Sequence, residues 1–86
     1  MASYKISVKR SAEKELRRLN KSEIGKILST IQALGEDPRP LNSRKLVGSD
    51  MTYRLRIGDY RVIYLIYDNV REIEIQRIRH RKEAYK

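Results

Sequence analysis

Residues 53–67 read YRLRIGDYRVIYLIY, and this segment decides the fold. Apolar side chains alternate with arginine over its first five residues, which is the period of a half-buried β-strand. A Gly-Asp pair then provides a turn, and the apolar run that follows reads as the return strand of a hairpin. The alternation puts Arg54 and Arg56 on one face, and Arg61 enters from the neighbouring strand. Because cations at close range repel one another, the hairpin predicts an anionic ligand between them.

The composition is strongly basic. The chain has 86 residues, with 20 Lys and Arg against 11 Asp and Glu and a net charge of +9. This length predicts a single domain over residues 1–86 with one hydrophobic core. The basic excess favours a polyanion partner, and nucleic acid is favoured over an acidic membrane surface. The alternative is a basic domain with no such partner.

Several kinds of site are not expected. The chain has no cysteine and one histidine, so a disulfide framework and a thiolate metal site are excluded and a structural zinc site is not predicted. We therefore expect no metal and no cofactor. No apolar run approaches the roughly 20 residues of a membrane span, and the first residues lack the apolar region of a signal peptide. We expect a cytoplasmic protein with no membrane partner.

The segments before the hairpin predict one strand and two helices. Alternation over residues 4–9 predicts a short half-buried strand. Apolar side chains at helical spacing predict a first helix with Ser11 as its N-cap. Asn20 followed by Glu23 resembles a capping box that opens a second helix, which ends at Gly35. Two helices joined this closely predict an antiparallel helical hairpin.

The remaining segments complete an α+β domain. Residues 36–50, which contain two prolines, read as a loop. The last strand begins with Ile73 and Ile75 on one face, but the alternation slips near Arg77 and predicts a bulge or the strand's end there. The chain therefore predicts an N-terminal strand, a helical hairpin and three antiparallel strands. We expect the helices to pack on one face of the sheet and the arginines to lie on the other.

Three sequence motifs make this pattern more specific. They are KLVG at residues 45–48, YRLRIGDYRVIY at residues 53–64 and HRKEAY at residues 80–85. Together, at this spacing and in a basic chain of this length, they resemble the RelE/ParE superfamily of bacterial and archaeal toxins. The RelE-type mRNA interferases are the most similar members, and the resemblance spans nearly the whole chain.

The resemblance implies a ribosome-dependent endoribonuclease that cleaves mRNA in the decoding site. It also implies a cognate antitoxin that inhibits the toxin within a toxin–antitoxin hetero-oligomer. Cleavage of this kind uses the RNA 2′-hydroxyl as the nucleophile on the adjacent phosphorus. The reaction needs a base for the hydroxyl, cations for the phosphorane and an acid for the leaving 5′-oxygen. No metal is required where arginines supply the positive charge.

The resemblance also implies roles for individual catalytic residues. Arg54 and Arg56 stand where relatives place basic residues, commonly lysines, on the first strand of the hairpin. Arg61 matches the arginine that grips the scissile phosphate. Arg81 matches an arginine proposed as a phosphate ligand or proton donor. Tyr85 matches a C-terminal tyrosine implicated in base stacking or proton transfer.

The chain departs from the family pattern in two respects. An arginine does not readily lose a proton, so neither Arg54 nor Arg56 is a suitable general base. Histidine titrates near neutral pH, which makes His80 the best-placed base on chemical grounds and Tyr85 the second choice. Arg79 stands where many relatives have glycine, and it adds a cation beside the site.

Other basic residues are expected to contact the RNA backbone rather than to perform chemistry. These predicted RNA-binding residues are Arg44, Lys45, Arg77, Arg79 and Lys82. For the hairpin arginines there is also a structural alternative. Arg54 and Arg56 would then be solvent-facing strand charges, and Arg61 would form a structural bridge to Asp59 or Glu74.

Two other functions compete with RNA cleavage. A ParE-like toxin would share the fold and inhibit DNA gyrase by binding. A non-catalytic module would bind nucleic acid through charge alone. Because ParE members generally lack the clustered catalytic set, the presence of Arg61, Arg81 and Tyr85 favours the RNA-cleaving toxin.

Overall fold

The computed structural model describes residues 3–80 and 82. The described chain forms one five-stranded sheet and two helices, in the order β1 (Lys5–Val8), α1 (Arg10–Arg17), α2 (Lys21–Leu34), β2 (Ser43–Lys45), β3 (Thr52–Ile57), β4 (Tyr60–Tyr67) and β5 (Glu72–His80). The spatial order of the strands is β1-β5-β4-β3-β2. β1 runs parallel to β5 and the other neighbours are antiparallel, which confirms the predicted α+β class and the predicted antiparallel strands β3, β4 and β5.

The β3–β4 hairpin forms as its alternation predicts. Ile57 is the partner of Tyr60, so Gly58 and Asp59 make a two-residue turn. Gly58 has a φ of +58°, the left-handed conformation that tight hairpin turns require and that glycine adopts without strain. This turn fixes the register that places the hairpin arginines.

The hydrophobic core lies between the two helices and one face of the sheet. Its buried members come from both helices and from β3, β4 and β5: Ala12, Ile27, Ile31, Leu34, Leu55, Val62, Tyr64, Ile66, Ile73, Ile75 and Ile78. The hydroxyl of Tyr64 donates to the carbonyl of Pro38 at 2.8 Å, and burial raises the pKa of Tyr64 to about 12. In the described residues, no helix is long and apolar enough to cross a membrane.

Helix α2 has the predicted ends. The side chain of Asn20 accepts a hydrogen bond from the backbone N–H of Glu23 at 3.0 Å, which caps the first turn. The Glu23 carboxylate accepts from the hydroxyl of Tyr60 at 2.8 Å and so ties the helix to the β3–β4 hairpin. Gly35 is the C-cap, and its carbonyl accepts from the backbone N–H of Tyr4 at 2.8 Å. A side chain at Gly35 would lie 3.2 Å from the Tyr4 carbonyl.

The predicted N-cap of the first helix is wrong. Helix α1 begins at Arg10, and Lys9 occupies the N-cap position without a side-chain hydrogen bond. Ser11 lies inside the helix, where its hydroxyl donates to the carbonyl of Gln76 at 3.2 Å. The serine hydroxyl therefore serves a distant strand instead of its own helix.

The prediction of a continuous loop over residues 36–50 is also wrong. Ser43–Lys45 forms the edge strand β2, which pairs with Leu55, Arg54 and Tyr53 of β3. A three-residue strand is too short to show a hydrophobic period, and its pairing is imposed by the free edge of β3. The extra strand brings Arg44 directly beside Arg54.

The predicted irregularity in the last strand is confirmed. Ile63 faces Arg77 and Tyr64 faces Ile75, so Gln76 is an extra residue in β5. The bulge shifts the alternation by one residue. As a result Ile75 and Ile78 both reach the core, although they are three residues apart.

Candidate nucleic-acid interface

The sheet face opposite the helices carries a cluster of arginines. In β3 and β4 these arginines alternate with the core residues Leu55 and Val62, so they leave the other side of the sheet. The register makes Arg44 a neighbour of Arg54, and places Arg61 between Arg56 and Arg79. We call this set the arginine face: Arg44, Arg54, Arg56, Arg61, Arg77 and Arg79.

The outer part of the arginine face is open to a ligand. Arg54 is half-buried and Arg56 is exposed. Neither side chain forms a salt bridge or a hydrogen bond with another residue that the structure describes. Together with Asn42 and Arg44 they line an open pocket of about 280 Å³. Like charges directly opposite one another destabilise a sheet, so this arrangement favours an anion in the pocket.

Arg61 is the centre of the arginine face. Only 5% of Arg61 is exposed, and it is the sole buried charged residue in the described part of the chain. Its strand neighbours on either side are Arg56 and Arg79. Burial in the middle strand restricts the movement of the Arg61 side chain, so its positive charge is held in place at the centre of this face.

Arg77 and Arg79 are held by a residue that the sequence analysis did not identify. The Glu15 carboxylate of α1 lies 3.2 Å from Nη2 of Arg77 and 3.8 Å from Nε of Arg79. Its other oxygen accepts from the backbone N–H of Ile78 at 3.0 Å. The one signal in the sequence is that Glu15 follows Ser11 by four residues, which places both on the same side of α1.

His80 is not brought together with the arginine face. It is the partner of Tyr60, and the two rings meet edge to face with centroids 5.2 Å apart. The pocket of about 260 Å³ that His80 lines lies against α1, on the helix side of the sheet. Its Nδ1 accepts from the backbone N–H of Lys82 at 3.2 Å. Adjacent residues of a strand point to opposite faces, so His80 is directed away from Arg79 and Arg61.

The remaining predicted residues lie at the margins of the site. Arg44 is exposed and donates to the carbonyls of Leu41 and Ser43 at 3.0 and 2.9 Å. Lys45 is exposed and lies 3.8 Å from a carboxylate oxygen of Asp50. Lys82 is exposed. The predicted catalytic residues Arg81 and Tyr85 lie outside the described residues.

The described residues contain no group of three or more His, Asp or Glu side chains that could hold a metal ion. The positive charge of the arginine face is supplied by guanidinium groups. The arrangement can therefore bind and neutralise an anion through guanidinium groups.

A separate arginine has a complete set of partners within the chain. Arg39 donates to both carboxylate oxygens of Asp68 at 3.2 and 2.6 Å, and its Nε donates to the hydroxyl of Tyr53 at 3.0 Å. The hydroxyl of Tyr4 also donates to Asp68 at 2.6 Å. The hydrogen bonds from Arg39 and Tyr4 hold the pKa of Asp68 below its ordinary value. We call these four residues the Arg39 cluster.

The chain is similar in sequence to a family of toxins. Residues 6–85 match the family model described as the ParE toxin of the type II toxin–antitoxin system, parDE. A curated relative from Methanocaldococcus jannaschii, “Putative toxin RelE1”, is 34% identical over 86 residues, which cover 96% of each chain.

Solved toxin structures share the fold. RelE in the archaeal RelE–RelB complex from Pyrococcus horikoshii OT3 is 30% identical, with a TM-score of 0.83 over 92% of this chain and 96% of that chain. The isolated E. coli RelE toxin is 21% identical and has a TM-score of 0.80 over 96% of both chains. The second likeness supports the fold alone.

Proposed function

The chain belongs to the RelE/ParE superfamily of toxins from type II toxin–antitoxin systems, and on that premise we propose that it is a ribosome-dependent, metal-independent endoribonuclease. Its substrate is mRNA in the ribosomal decoding site, and cleavage inhibits translation. The observation that carries the proposal is the arginine face. There, Arg54 and Arg56 have no side-chain partner among the described residues and lie beside the buried Arg61.

The arginines bind and neutralise the scissile phosphate. The 2′-hydroxyl of the preceding ribose attacks phosphorus, the bond from phosphorus to the 5′-oxygen breaks, and the products are a 2′,3′-cyclic phosphate and a 5′-hydroxyl. Negative charge grows on the phosphoryl oxygens as the phosphorane forms. Arg61 is fixed by burial and stabilises that charge, and Arg54 and Arg56 hold the phosphate from the open side.

Proton transfer belongs to the C-terminal segment. Arginine cannot serve as the base at neutral pH. His80 faces the helix side of the sheet, so from this position it cannot reach a phosphate on the arginine face. We assign proton transfer to Tyr85 and Arg81, as the resemblance implies. His80 has a structural role instead, since its contact with Tyr60 fixes the end of β5.

The proposed protein partner is a cognate antitoxin. The relative from Pyrococcus horikoshii was solved as a RelE–RelB complex, and we propose a toxin–antitoxin hetero-oligomer for this chain. An antitoxin that shields or distorts the arginine face would prevent RNA binding. The toxin and its antitoxin would act in the cytoplasm, where ribosomes and mRNA are present.

Primer extension in a translating extract tests the cleavage proposal. Added protein should produce mRNA 5′ ends in phase with codons, and the cuts should vanish with Arg61→Ala or Arg81→Ala. Arg17→Ala is the matched control because Arg17 forms an exposed pair with Glu13 on α1, away from the arginine face. Intact mRNA in the presence of folded wild-type protein would refute the proposal.

The second candidate function is inhibition of DNA gyrase by binding. It is favoured by one observation, that the matching family model is the ParE toxin. A supercoiling assay with purified gyrase separates the two candidates. Inhibition of supercoiling without mRNA cleavage would select the gyrase inhibitor, and the reverse result would select the endoribonuclease.

A further inference from the structure

Strand β5 extends beyond its partner β1. The parallel pairing ends where Val8 meets Ile75, and the backbone N–H of Lys9 then donates to the carbonyl of Ile75 at 2.9 Å. The chain enters α1 at Arg10, while β5 continues to His80. Along this last part, one edge of β5 has β4 as its neighbour, and the other edge has lost its strand partner. Backbone groups on such an edge need other hydrogen-bond partners.

Two side chains of α1 replace the missing strand. Ser11 donates to the carbonyl of Gln76 at 3.2 Å, and Glu15 accepts from the N–H of Ile78 at 3.0 Å. Ser11 and Glu15 are four residues apart, so they lie on the same side of the helix. That side supplies both a donor and an acceptor to the strand edge.

Glu15 also controls the charges at this edge. One carboxylate oxygen lies 3.2 Å from Nη2 of Arg77 and 3.8 Å from Nε of Arg79. The Glu15 side chain is only 17% exposed, so water screens these pairs less than it screens a surface salt bridge. A single carboxylate thus contacts three consecutive residues of β5.

Arg79 would otherwise repel the arginine at the centre of the site. Arg79 and Arg61 are direct cross-strand partners, and Arg61 is buried. Like charges on directly opposed strand positions repel one another, and both guanidinium groups would compete for the same phosphate. The Glu15 carboxylate lies 3.8 Å from Nε of Arg79 and so gives that guanidinium a counter-ion at the α1 edge of the sheet.

We propose that Glu15 is a positioning residue for RNA cleavage, which holds Arg77 and Arg79 at the α1 edge of the sheet so that they do not compete with Arg61 for the scissile phosphate. This role rests on the proposed endoribonuclease function. Glu15 touches neither substrate nor reacting atoms. It acts through the two β5 arginines and through the backbone of Ile78.

Glu15→Gln separates the charge from the backbone contact. Glutamine keeps an oxygen that accepts from the Ile78 N–H, but it no longer neutralises Arg77 and Arg79. Glu13→Gln is the matched control, because Glu13 lies on the same helix in an exposed pair with Arg17. Glu15→Ala removes both the negative charge and the hydrogen bond to the Ile78 N–H. Comparison of the two variants therefore gives the effect of losing that hydrogen bond.

In Glu15→Gln, kcat and the affinity for RNA should change in opposite directions. We expect Glu15→Gln to lower kcat for mRNA cleavage about tenfold. The affinity for a short single-stranded RNA should rise a few-fold, because Arg77 and Arg79 are released from Glu15 and can bind phosphates. With two more phosphate contacts, the plot of log affinity against log salt concentration should become steeper by about 1.4. Glu13→Gln should change neither. Unchanged kcat and unchanged RNA affinity in Glu15→Gln would overturn the proposal. A fall in both kcat and RNA affinity, in proportion to a smaller folded fraction of the variant, would also overturn it.

A spectroscopic measurement tests the contacts of Glu15 with Arg77 and Arg79 without a cleavage assay. The Nε atoms of Arg77 and Arg79 are buried from solvent, so their N–H groups should exchange slowly and give resolved signals in ¹⁵N spectra. Glu15→Gln should shift both signals and accelerate their exchange, and Glu13→Gln should leave them in place. Unshifted signals in Glu15→Gln would overturn the positioning role. Inactive wild-type protein would refute the proposed function, and the spectra would still show whether Glu15 holds Arg77 and Arg79.

Discussion

Arginine occurs in two contrasting environments in this molecule. In the Arg39 cluster, the guanidinium donates to both oxygens of Asp68 and to the hydroxyl of Tyr53, and it lies 5.2 Å above the Tyr53 ring. On the arginine face, Arg54 and Arg56 lie beside other arginines and have no side-chain partner among the described residues. The first environment is complete within the chain. The second has no such partner among the described residues and can accept an external anion, and this difference distinguishes a structural arginine from one available for binding.

Arg61→Gln should have the largest effect on cleavage. Arg61 is buried and fixed, so its loss removes a preorganised stabiliser of the phosphorane, and the cleavage rate should fall about 10²–10³-fold. Arg61→Lys keeps the charge but loses the planar guanidinium fork. Its cleavage rate should therefore lie between those of wild type and Arg61→Gln. Single-turnover cleavage on programmed ribosomes measures both variants. Circular dichroism checks that each is folded, and a folded Arg61→Gln protein with wild-type activity would contradict the assignment.

The double variant Arg54→Gln with Arg56→Gln should have the next largest effect. Cleavage should fall roughly 10–100-fold, and the salt dependence of RNA binding should become shallower by about 1.4 in the logarithmic slope. The melting temperature should rise by a few degrees, because repulsion between uncompensated cations is removed. Opposite changes in activity and stability are the signature of residues kept for function. A lower melting temperature would show that the two arginines have structural partners.

His80→Gln should have a much smaller effect on cleavage. The His80 ring faces the helix side and contacts Tyr60, so we expect a loss of less than about threefold in rate at neutral pH. The rate should also keep its wild-type dependence on pH between 5 and 8, where a histidine base would titrate. Rates on programmed ribosomes across this range test both points. A loss of 10²-fold together with a changed pH profile would restore His80 as the general base.

The sequence predicts the helices and strands in which apolar side chains recur with a regular period over several residues. The β3–β4 hairpin follows from alternation and from a Gly-Asp turn, and α2 follows from its apolar stripe and from Asn20 as its cap. These signals are local, since the side chains that create them lie within one or two turns or along one strand. Alternation likewise predicts that the arginines of β3 share one face.

The features that the sequence did not predict depend on contacts between distant segments. Glu15 and Arg77 are 62 positions apart, and no sequence pattern near Glu15 predicts its contact with the edge of β5. Ser11 serves that edge instead of capping its own helix. The face on which His80 lies is set by the strand register beyond the bulge at Gln76. β2 depends on the free edge of β3. Each of these requires the three-dimensional arrangement of strands.

Asp68→Asn should have the smallest effect on cleavage, because the Arg39 cluster is already complete within the protein. We expect a wild-type cleavage rate at pH 7 and a lower stability. The low pKa of Asp68 makes its stabilising effect fully present above the ordinary carboxyl value of about 4, and the effect is lost as the pH falls through the lower pKa of the folded state. Urea unfolding at pH 7 should therefore find Asp68→Asn less stable than wild type, and the difference should shrink steadily below pH 4. A difference that does not shrink as the pH falls below 4 would mean that the carboxylate charge does not hold Arg39. A loss of cleavage at pH 7 would mean that the Arg39 cluster supports the site as well as the fold.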